Sequence, residues 1–148
     1  MNKAEELQNA RLFEGLLPEE AEMLAELSQE RRLQARDVVF EQGEAGDALC
    51  LLVGGEVEVL RRRADGSSCE IASLRAPDFF GEMSLVDKEP RSATVRARTE
   101  VTLLCLSNKN LQSFARVYKN AFTLVVINIA RVLSARLRET NEKLASRL

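Results

Sequence analysis

Three regimes of apolar spacing divide the chain. In the first, Leu7, Ala10, Leu12 and Phe13 form a short apolar face that Gly15 interrupts. The segment LPEEAEMLAELS then starts a second helix. Pro18 falls in its first turn, Glu19 and Glu20 suit the positive end of the helix dipole, and Leu24 and Leu27 extend the buried stripe. From Val38 the period becomes that of short strands: DVVFEQ, ALCLLV, EVEVL, CEIASL, SATVRART and EVTLLCLS. GEAGD and a Gly-Gly pair separate the first three, and Asp65-Gly66 is a hairpin turn signal before CEIASL. Many short strands at this spacing predict a small antiparallel barrel or jelly roll.

From Asn108 the pattern is helical again, without glycine or proline, and predicts a short helix, a break near Tyr118 to Asn120, and a long helix to the end. In that helix Val126, Ala130, Leu133, Leu137, Thr140, Leu144 and Leu148 recur in steps of four and three. This is a heptad seam, which either pairs two copies in parallel or folds back on the barrel. The expected fold is α+β and a single domain over 1–148. Its parts are N-terminal helices over 1–34, a β-barrel over 35–107 in jelly-roll (double-stranded β-helix) form, and C-terminal helices over 108–148.

Composition narrows the chemistry. The chain of 148 residues has a formal charge of −2, which gives no electrostatic case for a nucleic-acid partner. The basic run Arg61 to Arg63 reads as solvated charge on an edge hairpin. No unbroken apolar run reaches the length of a membrane span, and the charged N-terminus is unlike a signal peptide. Cys50, Cys69 and Cys105 are odd in number and lie in strand-like segments, as expected of reduced core thiols in a cytoplasmic protein. The chain has no histidine. That removes the commonest metal ligand and general base, and the cysteines lack the short spacing of a zinc site. A binding protein is expected, with no enzymatic activity, metal or cofactor.

One stretch does not read as barrel strand: FFGEMSLVDKEPRSATV, residues 79–95. Gly81 permits close backbone approach, and EMSLVD can form one helical turn whose N-terminal amides suit an anion. Arg91 can return from the next strand with a planar fork of donors that fits phosphate, and Ser92 and Ala93 leave room beside it. A carboxylate there, Glu82, repels an anion unless the ligand also offers a donor such as a ribose hydroxyl. The residues together describe a sugar phosphate. A Glu82–Arg91 ion pair that merely pins the turn is the competing reading.

Phe80, Gly81, Glu82, Met83, Ser84, Leu85, Arg91, Ser92, Ala93 and Val95 match the phosphate-binding cassette of cyclic nucleotide-binding domains. Gly43, Gly46, Asp47 and Gly55 fall at that family's turn positions, and the chain resembles the family from about Phe13 to the final helix. The resemblance implies that Glu82 accepts from the ribose 2′-hydroxyl and Arg91 pairs with an exocyclic oxygen of the cyclic phosphate. Gly81, Ser84 and Ser92 would approach with backbone groups. Serine after the arginine favours cyclic AMP over cyclic GMP by the same resemblance. Thr140 and Asn141 would cap the base. The stretch from Arg91 to Thr140 is one helical turn longer than its counterpart, however, so Arg136 competes for that role. The chain stops at Leu148, where some relatives continue into a helix-turn-helix domain, which leaves open a truncated regulator or a scaffold that has lost its ligand. The expectation is a regulatory sensor of a cyclic nucleotide. It would be a homodimer through the C-terminal helix, with no nucleic acid or membrane contacted.

Overall fold

A computed structural model describes residues 1–148. Helices α1 (Lys3–Asn9) and α2 (Pro18–Leu27) flank a 3-10 turn at Arg11–Phe13. Eight strands follow: β1 (Gln29–Leu33), β2 (Val38–Phe40), β3 (Ala48–Gly54), β4 (Glu56–Arg62), β5 (Ser68–Arg75), β6 (Phe79–Phe80), β7 (Thr94–Ala97) and β8 (Val101–Ser107). Helices α3 (Asn108–Val117) and α4 (Lys119–Ala145) close the chain. The strands form two four-stranded antiparallel sheets, ordered β1-β8-β3-β6 and β2-β7-β4-β5, which face each other as a jelly roll.

The two sheets explain two kinds of strand sequence. β3 and β8 are covered on both faces, so they are nearly continuous apolar runs. Leu49, Leu51, Leu104 and Leu106 point to the helices and pack with Leu7, Leu12, Phe13, Leu24, Leu111 and Phe114. Cys50, Leu52, Leu103 and Cys105 point into the barrel with Val57, Phe80 and Val95. β4 has one face in solvent, hence its alternation of valine and glutamate. Gly66, at φ +88°, turns β4 into β5, and Asp65 accepts from the Ser67 amide at 2.9 Å. The basic run Arg61 to Arg63 lies exposed on this edge hairpin, as expected.

The sheet begins earlier than the periodicity predicts. β1, with sequence QERRL, lies inside the segment assigned to N-terminal helices, and the barrel starts there and not at residue 35. It is an edge strand held by backbone pairing to β8, with only Leu33 buried, so it carries no apolar alternation to read.

Helix α4 also departs from expectation. It docks through Ala121, Val125, Asn128 and Ile129, a stripe rotated from the heptad seam. Most of the seam does not fold back on the chain: Val126 and Leu137 are 46% and 61% exposed, while Leu133 packs at the edge of the helix-side core. By length and composition α4 is apolar enough to cross a membrane, with a mean hydropathy of 1.3 over its most apolar window, although no unbroken apolar run suggests it. Packing accounts for part of its apolar first half: Val125 and Ile129 enter the helix-side core, while Val126 and Ile127 stay exposed.

Asn128 fixes that docking. Its buried amide donates to the carbonyls of Leu12 and Glu14, each at 3.0 Å, tying α4 to the N-terminal turn. Replacing it with alanine strands two carbonyls that water reaches poorly. Asn128→Ala is expected to lower unfolding free energy by about 1–3 kcal/mol in urea titrations.

Candidate functional site

The stretch 79–95 folds around a cavity of about 460 Å³ between the β2-β7-β4-β5 sheet and the second half of α4. β6 pairs with β3, setting Phe79 and Phe80 opposite Leu51 and Cys50. Gly81 then turns the backbone at φ +83°, and Glu82–Leu85 form a single 3-10 turn. A side chain at Gly81 would put its Cβ 2.7 Å from the Ala48 carbonyl oxygen, so glycine is required by conformation and by space. Asn108, at the start of α3, donates to the Ser84 carbonyl at 2.9 Å and so secures the turn to the C-terminal helices.

Arg91 is the centre of the cavity. Its guanidinium lies over the Phe40 ring, 3.9 Å from the centroid, and donates to the Ala48 carbonyl at 3.1 Å and the Gly81 carbonyl at 3.5 Å. Gly46 leaves room for it, since a Cβ there would fall 2.7 Å from Nε. The Arg91 Nε is buried and has no hydrogen-bond partner. A buried, charged donor without an acceptor is costly, and the guanidinium that carries it lines the cavity. Phosphate fits this donor geometry.

Glu82 does not pair with Arg91, so the reading of a turn-pinning ion pair is set aside. Its carboxylate is buried and faces Arg136 of α4, with Oε1 3.7 Å from Nη1. Arg136 also donates to the Phe79 carbonyl at 3.0 Å and lies 4.8 Å from the Phe79 ring centroid. The buried Glu82 carboxylate and two guanidiniums therefore converge on one cleft, with Asp87 and Glu89 also in its lining.

The structure brings together Phe80, Gly81, Glu82, Met83, Ser84, Arg91, Ser92 and Ala93, all of which line this cavity. It does not bring in Thr140 or Asn141. Both are exposed, and the Thr140 hydroxyl donates back to the Arg136 carbonyl at 2.9 Å. In the single chain it is Arg136, the competing candidate on the same helix face one turn earlier and about 6 Å closer along the axis, that lines the cavity. Sequence reasoning missed the apolar wall formed by Val59, Ala72, Leu74 and Val95. The inward positions of strands β4 and β7, where Val59 lies opposite Val95, were the signal for it.

These features define a barrel built to hold a small anionic ligand beneath a helix. Residues 30–118 match the model of the cyclic nucleotide-binding domain, and the chain belongs to that family. It is 35% identical over 133 residues to the "Cyclic AMP receptor protein" of Thermus thermophilus, covering 90% of this chain and 60% of the relative. A cAMP-dependent protein kinase regulatory subunit of Aspergillus fumigatus is 36% identical over 95 residues, 64% of this chain and 22% of that one. A crystal structure of a cyclic nucleotide-binding domain from Methylobacillus flagellatus superposes with a TM-score of 0.86 at 27% identity, covering 99% of this chain and 82% of that one. The chain thus spans at most about 60% of the length of these two curated relatives. Its family is that of the cyclic nucleotide-binding domain.

Two glycines separate conformation from space. Gly66→Ala meets no atom within 4 Å and is expected to cost about 1 kcal/mol for its positive φ alone. Gly81→Ala adds a collision with backbone and is expected to cost a further ~1–3 kcal/mol, read as the difference between their urea midpoints.

Proposed function

We infer that the domain is a sensor of cyclic AMP, with cyclic GMP bound more weakly, and that occupancy is transmitted through α4. The buried, unpartnered Arg91 Nε carries this reading, because its guanidinium lines the cavity and the fold offers Nε no acceptor. In this reading Arg91 pairs with an exocyclic phosphate oxygen and the Gly81 turn brings backbone amides to the same group. Glu82 accepts from the ribose 2′-hydroxyl. Val59, Ala72, Leu74 and Val95 provide an apolar surface for the base, and Arg136 covers it. Ser92, next to the arginine, favours adenine by resemblance to the family pattern.

Transmission follows from Glu82. A ribose hydroxyl competes with Arg136 for the same carboxylate, so ligand alters the contact that holds the second half of α4 over the cavity. The first half is anchored by Asn128, so the change in position falls on the residues beyond it. This is a population shift between two helix positions. The exposed part of the seam, Leu137, Thr140 and Leu144, gives the helix an apolar stripe to bury and supports a parallel homodimer.

Calorimetric titration tests the sensor. Cyclic AMP is expected to bind at micromolar concentration or tighter and more strongly than cyclic GMP. Arg91→Ala, which loses a charge-assisted contact, is expected to weaken binding by at least tenfold. Folded protein that binds neither nucleotide would sink the reading. For the dimer, Leu137→Glu puts a charge in the seam and is expected to shift sedimentation from dimer to monomer. A wild-type monomer at all accessible concentrations would exclude that assembly.

A further inference from the structure

We propose that Cys50 and Cys105 form an oxidisable dithiol that peroxides convert to a cross-strand disulfide across the centre of the β1-β8-β3-β6 sheet. The two residues lie directly opposite each other on β3 and β8, and their Sγ atoms are hydrogen-bonded at 3.1 Å. Directly opposed residues of antiparallel strands have Cα atoms about 4.5–5.5 Å apart, within the range a disulfide spans. Closure therefore asks for side-chain rotation and no change of strand register.

The surroundings suit reaction better than inert packing. A buried thiol in an apolar core stays protonated and unreactive. This pair lies at the edge of the barrel core, where it borders a second cavity of about 390 Å³ lined also by Arg31 of β1 and Arg91 and by the carboxylates Glu44 and Asp47. Arg91 thus stands between the two cavities, with Phe40 shared by both. The hydrogen bond with Cys50, and then the positive charges of Arg31 and Arg91, hold the Cys105 thiol below its ordinary range against the opposing effect of burial. That hydrogen bond and burial push Cys50 up. Cys105 is the less buried of the two sulfurs and shares the cavity with Arg31, so it is the better placed to lose its proton, with Cys50 as the resolving thiol.

The chemistry balances with a peroxide as oxidant. The Cys105 thiolate attacks the O–O bond, an S–O bond forms, and hydroxide leaves to give a sulfenic acid. Cys50 sulfur then attacks Cys105 sulfur, the S–O bond breaks, and water departs with the Cys50 proton. Two thiols lose two electrons and two protons, and one hydrogen peroxide becomes two waters. The reaction needs no ligand in the other cavity, so it stands independently of nucleotide binding.

The test uses the full chain with Cys69→Ser, which removes the third thiol, on β5 of the opposite sheet. Folded, reduced protein is treated with equimolar hydrogen peroxide without air. The expected result is a mass loss of about 2 Da, reversed by dithiothreitol, with Cys50 and Cys105 in one cross-linked peptide. Adding Arg31→Gln is expected to slow closure severalfold, because a charge that favours the thiolate is gone. Protein that stays unmodified, or only gains oxygen mass, overturns the dithiol. Closure at an unchanged rate in the Arg31 variant overturns the assigned activation. Loss of cyclic AMP binding would leave both results untouched, so the two readings fail separately.

Discussion

A guanidinium held in place with one nitrogen unsatisfied is the constraint on which the site depends. Arg91 is stacked on Phe40 and bonded to the Ala48 and Gly81 carbonyls, so its direction is fixed before any ligand arrives. Gly46 and Gly81 exist in the sequence to make that placement possible, since a methyl group at either would collide with it. The unpartnered Nε is a local cost that the rest of the fold must support. In the proposed reading an anionic ligand offsets this cost and meets a receptor that needs little reorganisation, which is how a preorganised site raises affinity.

The same residues connect the cavity to the helices. Ala48 starts β3 and Asn108 starts α3, and the Asn108 amide nitrogen donates to the Asp47 carbonyl at 2.7 Å while its side chain holds the Ser84 carbonyl. The cassette turn, the β3 entrance and the C-terminal helices therefore meet at one point. On the far side, Arg136 reaches from α4 to Glu82 and to the Phe79 carbonyl. Between these contacts Asn128 anchors α4 to the N-terminal turn. A change at Glu82 has a short physical route to α4 and an anchor against which to act.

Much of this was legible along the chain, for physical reasons that also mark where legibility stops. β3, β4 and β8 announced themselves because burial on one or both faces dictates their apolar pattern. β1 did not, because an edge strand held by its backbone leaves no such signature. The cassette was readable because Gly81, Glu82 and Arg91 are chemically unlike strand filler, and seven of their near neighbours in the match are close in sequence. Which residue of α4 faces the cavity was less legible, because Arg136 and Thr140 share a face and the sequence does not say how far along it the cavity extends. The heptad seam was identified as a stripe, but its partner could not be assigned, since a second stripe through Val125 and Ile129 faces the core. The approach of Cys50 to Cys105 across 55 residues is a product of strand register, which sequence spacing does not encode.

The most direct measurement of the central claim is the side-chain NMR signal of Arg91 during addition of cyclic AMP. The account predicts that its Nε–H resonance, assigned by loss in Arg91→Lys, moves downfield and exchanges more slowly with water as a phosphate oxygen takes up the unpaired donor. An unchanged Arg91 signal in protein that demonstrably binds the nucleotide would contradict the account, because the ligand would then be held by other groups.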